Sequence, residues 1–139
     1  MTSRSVSTRR ALALLALIGW LAVPAAHADR TDEALGDSLV ALLANPKAYD
    51  GKRIRVVGFV RLEFEGDAID LHRENDEQGI TKNGLWLDVR RAMRGDRRLD
   101  RKYAIVEGTF NANHLGHMDM WSGAIENITG IRVNAHSHW

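Results

Sequence analysis

The residues whose types and spacing best suit chemistry are His114 and His117, three apart, followed by Met118 and Met120. Neutral imidazoles bind zinc, copper or nickel, and thioether sulfur prefers Cu(I). A copper or zinc site is therefore one reading of this stretch, with His136 and His138 as further donors near the carboxyl end. A three-residue spacing on a loop chelates only if the backbone turns both rings inward. No cysteine or carboxylate completes a known ligand pattern here. The simpler expectation is an exposed polar loop on which Met118 or Met120 packs, with no cofactor.

Arg55, Phe59, Arg61 and Trp86 form a second candidate. Phe59 and Trp86 fall on faces opposite the main apolar stripes, and Arg55 and Arg61 flank Phe59 on its own face. Such a patch could stack a base or a sugar ring. In a small barrel, however, one or two such aromatics usually pack beneath another element, and that ordinary reading is favoured. The third candidate is basic: Arg90, Arg91, Arg94, Arg97, Arg98, Arg101 and Lys102 stand against only Asp96 and Asp100. It could grip phosphates or another polyanion, or be a solvated face with local pairing. Residues 63–77 oppose it with seven acids, so the chain is strongly dipolar. Arg94-Gly95-Asp96 is a tripeptide common by chance. For catalysis there is no Gly-x-Ser-x-Gly elbow, phosphate loop or His-Glu-x-x-His. His72 with Glu74 and Asp76 is the one acid/base grouping, and the expectation is a protein that is not an enzyme.

The elements that position these groups follow from periodicity. Leu35, Leu39, Leu42 and Leu43 make one helical stripe, with Thr31 as its cap, Asp32 and Glu33 at its positive end, and Asn45-Pro46 as its stop. After Asp50-Gly51, the residues Ile54, Val56, Val60, Leu62 and Phe64 share one face of a long strand with Gly58 among them. Glu65-Gly66-Asp67 signals a hairpin to a second strand through Ile69 and Leu71. Residues 73–84 read as a loop with one helical turn ended by Gly79. Leu85, Leu87 and Val89 give a third strand, and residues 90–101 a short irregular helix around Ala92, Met93 and Leu99. A fourth strand runs from Tyr103 to Phe110 with Gly108 inside it. The fifth covers residues 123–133, where the apolar phase slips between Ile125 and Ile128, as at a bulge. Five strands in so short a chain must close to avoid bare edges. The expected fold is mainly β, a five-stranded OB-fold-like Greek-key barrel with an N-terminal amphipathic helix. A split meander sandwich is the competing topology.

Asn45-Pro46, the run Tyr49-Asp50-Gly51-Lys52-Arg53-Ile54-Arg55-Val56-Val57-Gly58, Val106-Glu107-Gly108-Thr109-Phe110 and Ile125-Glu126-Asn127-Ile128 resemble small secreted bacterial OB-fold proteins. The chain is similar there to the tRNA-anticodon-like and periplasmic OB-fold groups, over roughly residues 38–133. The resemblance implies the fold and carries over no catalytic residue. Nucleic-acid binding would follow from it by fold analogy alone.

The first 28 residues supply an address. Arg4, Arg9 and Arg10 precede the apolar run Ala11 to Val23, and Ala26-His27-Ala28 is a signal-peptidase pattern. The run is shorter than the ~20 residues of a membrane span. Cleavage before Asp29 would leave 111 of 139 residues, a single domain with a short tail from about residue 134. The leader holds three of the 19 basic residues and none of the 18 acids, so the remainder has 16 against 18 and a formal charge of −2. General polyanion binders are clearly basic, so nucleic acid is an unfavoured partner. With no cysteine there is neither a disulfide nor a lipid anchor. The general secretory route is favoured over twin-arginine export, and Asn127-Ile128-Thr129 would be glycosylated only in a eukaryotic pathway. Together these features point to a periplasmic or secreted binding module for a protein or cell-envelope ligand. Metal binding by His114, His117, Met118 and Met120, and polyanion binding by residues 90–102, are the alternatives.

Overall fold

The computed structural model describes Met1, residues 35–90 and residues 96–135. Strand β1 is only Leu35–Gly36. Helices α1 (Leu39–Ala44) and α2 (Pro46–Tyr49) follow it, separated by Asn45. The Ser38 hydroxyl accepts from the Ala41 N–H at 3.1 Å and caps α1. This corrects the expected helix start: Leu35 lies in a strand paired parallel to Ile54, while Thr31, Asp32 and Glu33 fall outside the described residues. Pro46 sits in the first turn of α2, where its missing N–H costs no helical bond.

The remaining strands are β2 (Arg53–Arg61), β3 (Ala68–Asp70), β4 (Gly84–Leu87), β5 (Lys102–Asn111) and β6 (Ala124–Val133). Strand β2 runs antiparallel to both β3 and β5. Strand β4 runs antiparallel to β3 and parallel to β6, and β6 returns antiparallel to β5. The order β2-β3-β4-β6-β5 is closed by the long β2–β5 ladder, giving a five-stranded barrel with β1 added beside β2. That ladder overturns the split sandwich. Closure gives β3, β4 and β6 partners on both sides, which removes exposed edges.

Period-two patterning fills the barrel as read from the sequence. Ile54, Val56, Val60, Ile69, Leu85, Leu87, Val106 and Ile125 point inward and are fully buried, and Leu39 and Leu42 of α1 pack on the same core. Each such side chain contributes about 1.5–3 kcal/mol of burial. The interior glycines are sites of close strand approach. A Cβ at Gly58 would lie 2.6 Å from Ile69 Cγ1, and one at Gly108 would lie 2.5 Å from Ile125 Cγ2. The phase slip in the last strand is a bulge: pairing jumps from Glu107–Gly130 to Thr109–Glu126, and Asn127 takes a left-handed φ of 47°.

Two further expectations change. Phe64 does not join the core face, because β2 ends at Arg61 and Phe64 lies in the turn beyond it, 82% exposed. Residues 96–101 form a turn rather than a helix, and Ala92 and Met93 lie outside the described residues. The helical turn foreseen in residues 73–84 is α3 (Arg73–Glu77), followed by Gly79 at φ 66° and a 3₁₀ turn, Thr81–Asn83. Among the described residues no helix is long and apolar enough to cross a membrane.

Candidate functional site

Because Ile69, Leu85 and Leu87 face inward, their neighbours Ala68, Asp70, Gly84 and Trp86 face out, with Ala68 opposite Trp86 and Asp70 opposite Gly84. This outer face is nevertheless covered, since Ala68 and Asp70 are both buried. Three connections fold over it: residues 62–67 between β2 and β3, 71–83 between β3 and β4, and 112–123 between β5 and β6.

Aromatic packing seats the last of these. Trp121 meets Trp86 edge-on, with ring centroids 5.0 Å apart at 64°. Gly116 lies against the same indole, where a Cβ would come within 2.8 Å of ring carbons; its φ of 70° also demands glycine. Polar bonds then tie this connection to the 3₁₀ turn. Lys82 Nζ donates to the carbonyls of Asp119 and Trp121, each at 2.9 Å. Thr81 Oγ1 donates to the Met120 carbonyl at 2.7 Å, and Ser122 Oγ to that of Lys82 at 2.8 Å. His117 Nε2 reaches to within 3.9 Å of Glu65 Oε2, an approach between exposed side chains of residues 112–123 and 62–67.

Ion pairs hold α3 onto the same face. Arg61 Nη1 lies 3.0 Å from Glu63 and 3.1 Å from Asp76, and Arg101 Nη1 lies 3.2 Å from the other Asp76 oxygen. The Asp76 side chain is only 3% exposed and Arg61 18%, so that pair is largely desolvated and holds geometry as well as charge, whereas Glu63 and Arg101 are about half exposed. Asp70, 2% exposed, sits beneath them. Burial pushes its carboxyl up to about 6; Arg61 opposes that shift and Asp76 adds to it.

On this framework stand apolar side chains that are exposed among the described residues. Phe64 is joined by Met118, 79% exposed, and Met120, 41% exposed. The backbone at and beside them is strained: Met118 and the neighbouring Glu65 and Asp119 adopt left-handed φ, at 53°, 58° and 56°. Left-handed backbone is uncommon for Met and Glu, and such residues concentrate where structure serves a function. The chemistry available is recognition through apolar contact within a charged rim. A separate concavity of about 550 Å³ between α1 and β2, lined in part by Val40, Val57 and Leu71, contains none of these left-handed residues.

The residues singled out from sequence are dispersed. Phe59 lies on the outer face but is 1% exposed, edge-on to Tyr103 at 5.5 Å and under the Arg73 guanidinium, so it presents no face for stacking. Trp86 is half-buried beneath Gly116 and Trp121. Arg55 is exposed and bonds Glu107 at 2.9 Å, whereas Arg61 belongs to the α3 network. These four form no common patch. His114 Nδ1 lies 2.7 Å from Glu126, which also accepts from Asn111, and His117 faces Glu65 instead. The two histidines thus engage different carboxylates. Among the described residues no group of three or more His, Cys, Asp or Glu side chains is placed to hold a metal ion. His136 and His138 lie outside the described residues, as do Arg91 and Arg94. Of the basic run, Arg98 pairs with Asp96 at 2.8 Å and Arg101 with Asp76, so the basic and acidic stretches meet.

Sequence reasoning passed over Trp121 and the Arg61–Asp76 pair, and placed Phe64 in the core. A bulky apolar residue directly before Glu65-Gly66-Asp67 was the available signal for Phe64, since a strand that turns there cannot bury it. Trp121, between Gly116 and Gly123 in a polar connection, was the signal for a loop that packs. No protein-family model, curated protein or solved structure matches the chain.

Proposed function

We propose that this chain is an exported, non-enzymatic binding module on an OB-fold scaffold, docking a protein of the cell envelope at the surface formed by residues 62–67 and 112–123. The strand order, a β2-β3-β4 meander with β6 lying between β4 and β5, is compatible with a five-stranded Greek-key barrel of that kind. The resemblance of residues 38–133 to secreted bacterial OB-fold proteins agrees with it. The basic, apolar and Ala-His-Ala segments of residues 1–28 support a periplasmic address.

One observation carries the functional reading: Phe64, Met118 and Met120 are exposed on two connections that also hold the left-handed residues Glu65, Met118 and Asp119, and His117 of one approaches Glu65 of the other at 3.9 Å. Exposed apolar side chains on strained connections are a feature of interaction sites. The burial of Phe59 against Tyr103 and beneath Arg73 removes it as a stacking platform for single-stranded nucleic acid.

Site-specific photo-crosslinking in living cells tests this. A photoreactive phenylalanine at position 64 should yield a discrete adduct that disappears with Met118→Ser, while the same probe at Lys102 should not. Adducts only from position 102 would refute the site. Substrate turnover lost on His72→Ala would refute the assignment to a non-enzyme.

A further inference from the structure

The docking surface has a sign as well as a shape. Glu63, Glu65 and Asp119 are exposed around Phe64 and Met118, two of them on the left-handed backbone itself. The nearby cations are engaged: Arg61 on Glu63 and Asp76, Arg101 on Asp76, and Lys82 on two main-chain carbonyls. Arg53, Arg55 and Arg132 lie elsewhere, where Arg55 and Arg132 both reach Glu107 on β5. The patch is therefore apolar at its centre and acidic at its rim chiefly through Glu65 and Asp119, with Glu63 partly offset by Arg61.

Its backbone offers nothing to an extended partner. Strands β3, β4 and β6 have neighbours on both sides, so no sheet edge at this face can accept another strand. Side chains alone must make the contact, and an amphipathic helix with an apolar stripe meets that condition. Methionine side chains are unbranched and adapt to varied apolar surfaces.

Resting on the docking reading above, we infer that the occupant is a cationic amphipathic helical segment of a partner protein. Its apolar stripe covers Phe64, Met118 and Met120, and its Lys or Arg side chains meet Glu63, Glu65 and Asp119.

The test uses protein purified from the envelope of cells expressing the full chain. Two fluorescein-labelled helical peptides of about 18 residues serve as probes, long enough to be helical alone. One is built of Leu and Lys, the other of Leu and Glu in the same pattern. The Leu/Lys peptide should bind saturably at one site, more weakly as salt rises. Phe64→Ala should weaken it about tenfold, and so should the combined Glu63→Gln, Glu65→Gln and Asp119→Asn variant. All four side chains are exposed, and unchanged near-ultraviolet circular dichroism would verify the fold; Met118→Ser is an independent second variant. Equal binding of both peptides, each weakened by Phe64→Ala, would overturn the charge inference and leave the docking surface standing. Leu/Lys binding indifferent to Phe64→Ala and Met118→Ser would overturn both. Failure of the Leu/Lys peptide to bind overturns the inference, and the crosslinking at position 64 then judges the surface separately.

Discussion

Asp70 shows how a single side chain couples the barrel to what lies over it. The carboxyl is buried on the outer face of β3, close against Gly84, where any Cβ would overlap it and also lie 2.9 Å from the Ile69 carbonyl oxygen. Burial raises its folded-state pKa to about 6, against an ordinary value near 3.8. The sign follows from linkage. Between these values the folded protein binds the proton more tightly than the unfolded chain does, so stability falls as pH rises from about 4 to about 6 and is flat on either side. Asp70→Asn should therefore stabilise the protein at neutral pH by on the order of 2 kcal/mol and remove that stretch of pH dependence. Urea denaturation at pH 4, 5, 6 and 7 measures it; an unchanged slope in the variant would remove Asp70 as the cause. Glu107 runs the other way. The Arg55 guanidinium bonded to it, with Arg132 beside, holds its carboxyl below the usual range, so its contribution is present at neutral pH and lost on acidification.

Helix α3 and the two opposing connections are the elements that make the surface. The five residues of α3 are too few to be helical alone, and contacts with the barrel hold them in place. Asp76→Ala removes the pair with Arg61 and Arg101 and should cost about 1–2 kcal/mol, with faster amide exchange across residues 73–77 than in β2. The strain in the 112–123 connection can be tested separately. Met118→Gly should leave stability within about 0.5 kcal/mol of the parent, because relief of the left-handed φ offsets the extra freedom of glycine in the unfolded chain. Met118→Val places a β-branched residue at the same φ and should cost about 1–2 kcal/mol. Thermal unfolding of the pair distinguishes strain at this position from a simple loss of side-chain contact. The elements themselves were largely readable. Gly79 ended α3, Asn45-Pro46 ended α1, and the Ile125–Ile128 phase slip was a bulge. The misread start of α1 has a local reason: Leu35 fits a helical stripe, but β2 offers it a strand partner at Ile54.

At the scale of the whole molecule, the basic and acidic stretches do not separate into opposite poles. Arg61 and Arg101 reach into the acidic stretch at Asp76, and Arg98 folds back on Asp96. Charge is thus partly neutralised in place, Glu63 by Arg61 included, which leaves Glu65 and Asp119 as the main local field around the exposed apolar side chains. If the leader is removed as its pattern suggests, protein recovered from the envelope should begin at Asp29 and carry the net charge of −2 that follows. Amino-terminal sequencing reads this directly, and an intact Met1 would withdraw the periplasmic address.

The sequence by itself settled which side of each strand faces the core, because apolar alternation reports on one face of a sheet at a time. It also carried the five barrel strands and the need for closure, but not the short β1. Only the tertiary structure decided what lies on the other side. Phe59 was legible as outward-facing, but its burial depends on Tyr103, 44 positions along the chain, and on Arg73 above it. The proposed docking surface draws on residues 61–65, 76–82 and 116–122, stretches with no shared periodicity. Their meeting depends on ladder register and on an aromatic contact between Trp86 and Trp121, neither of which a local pattern encodes.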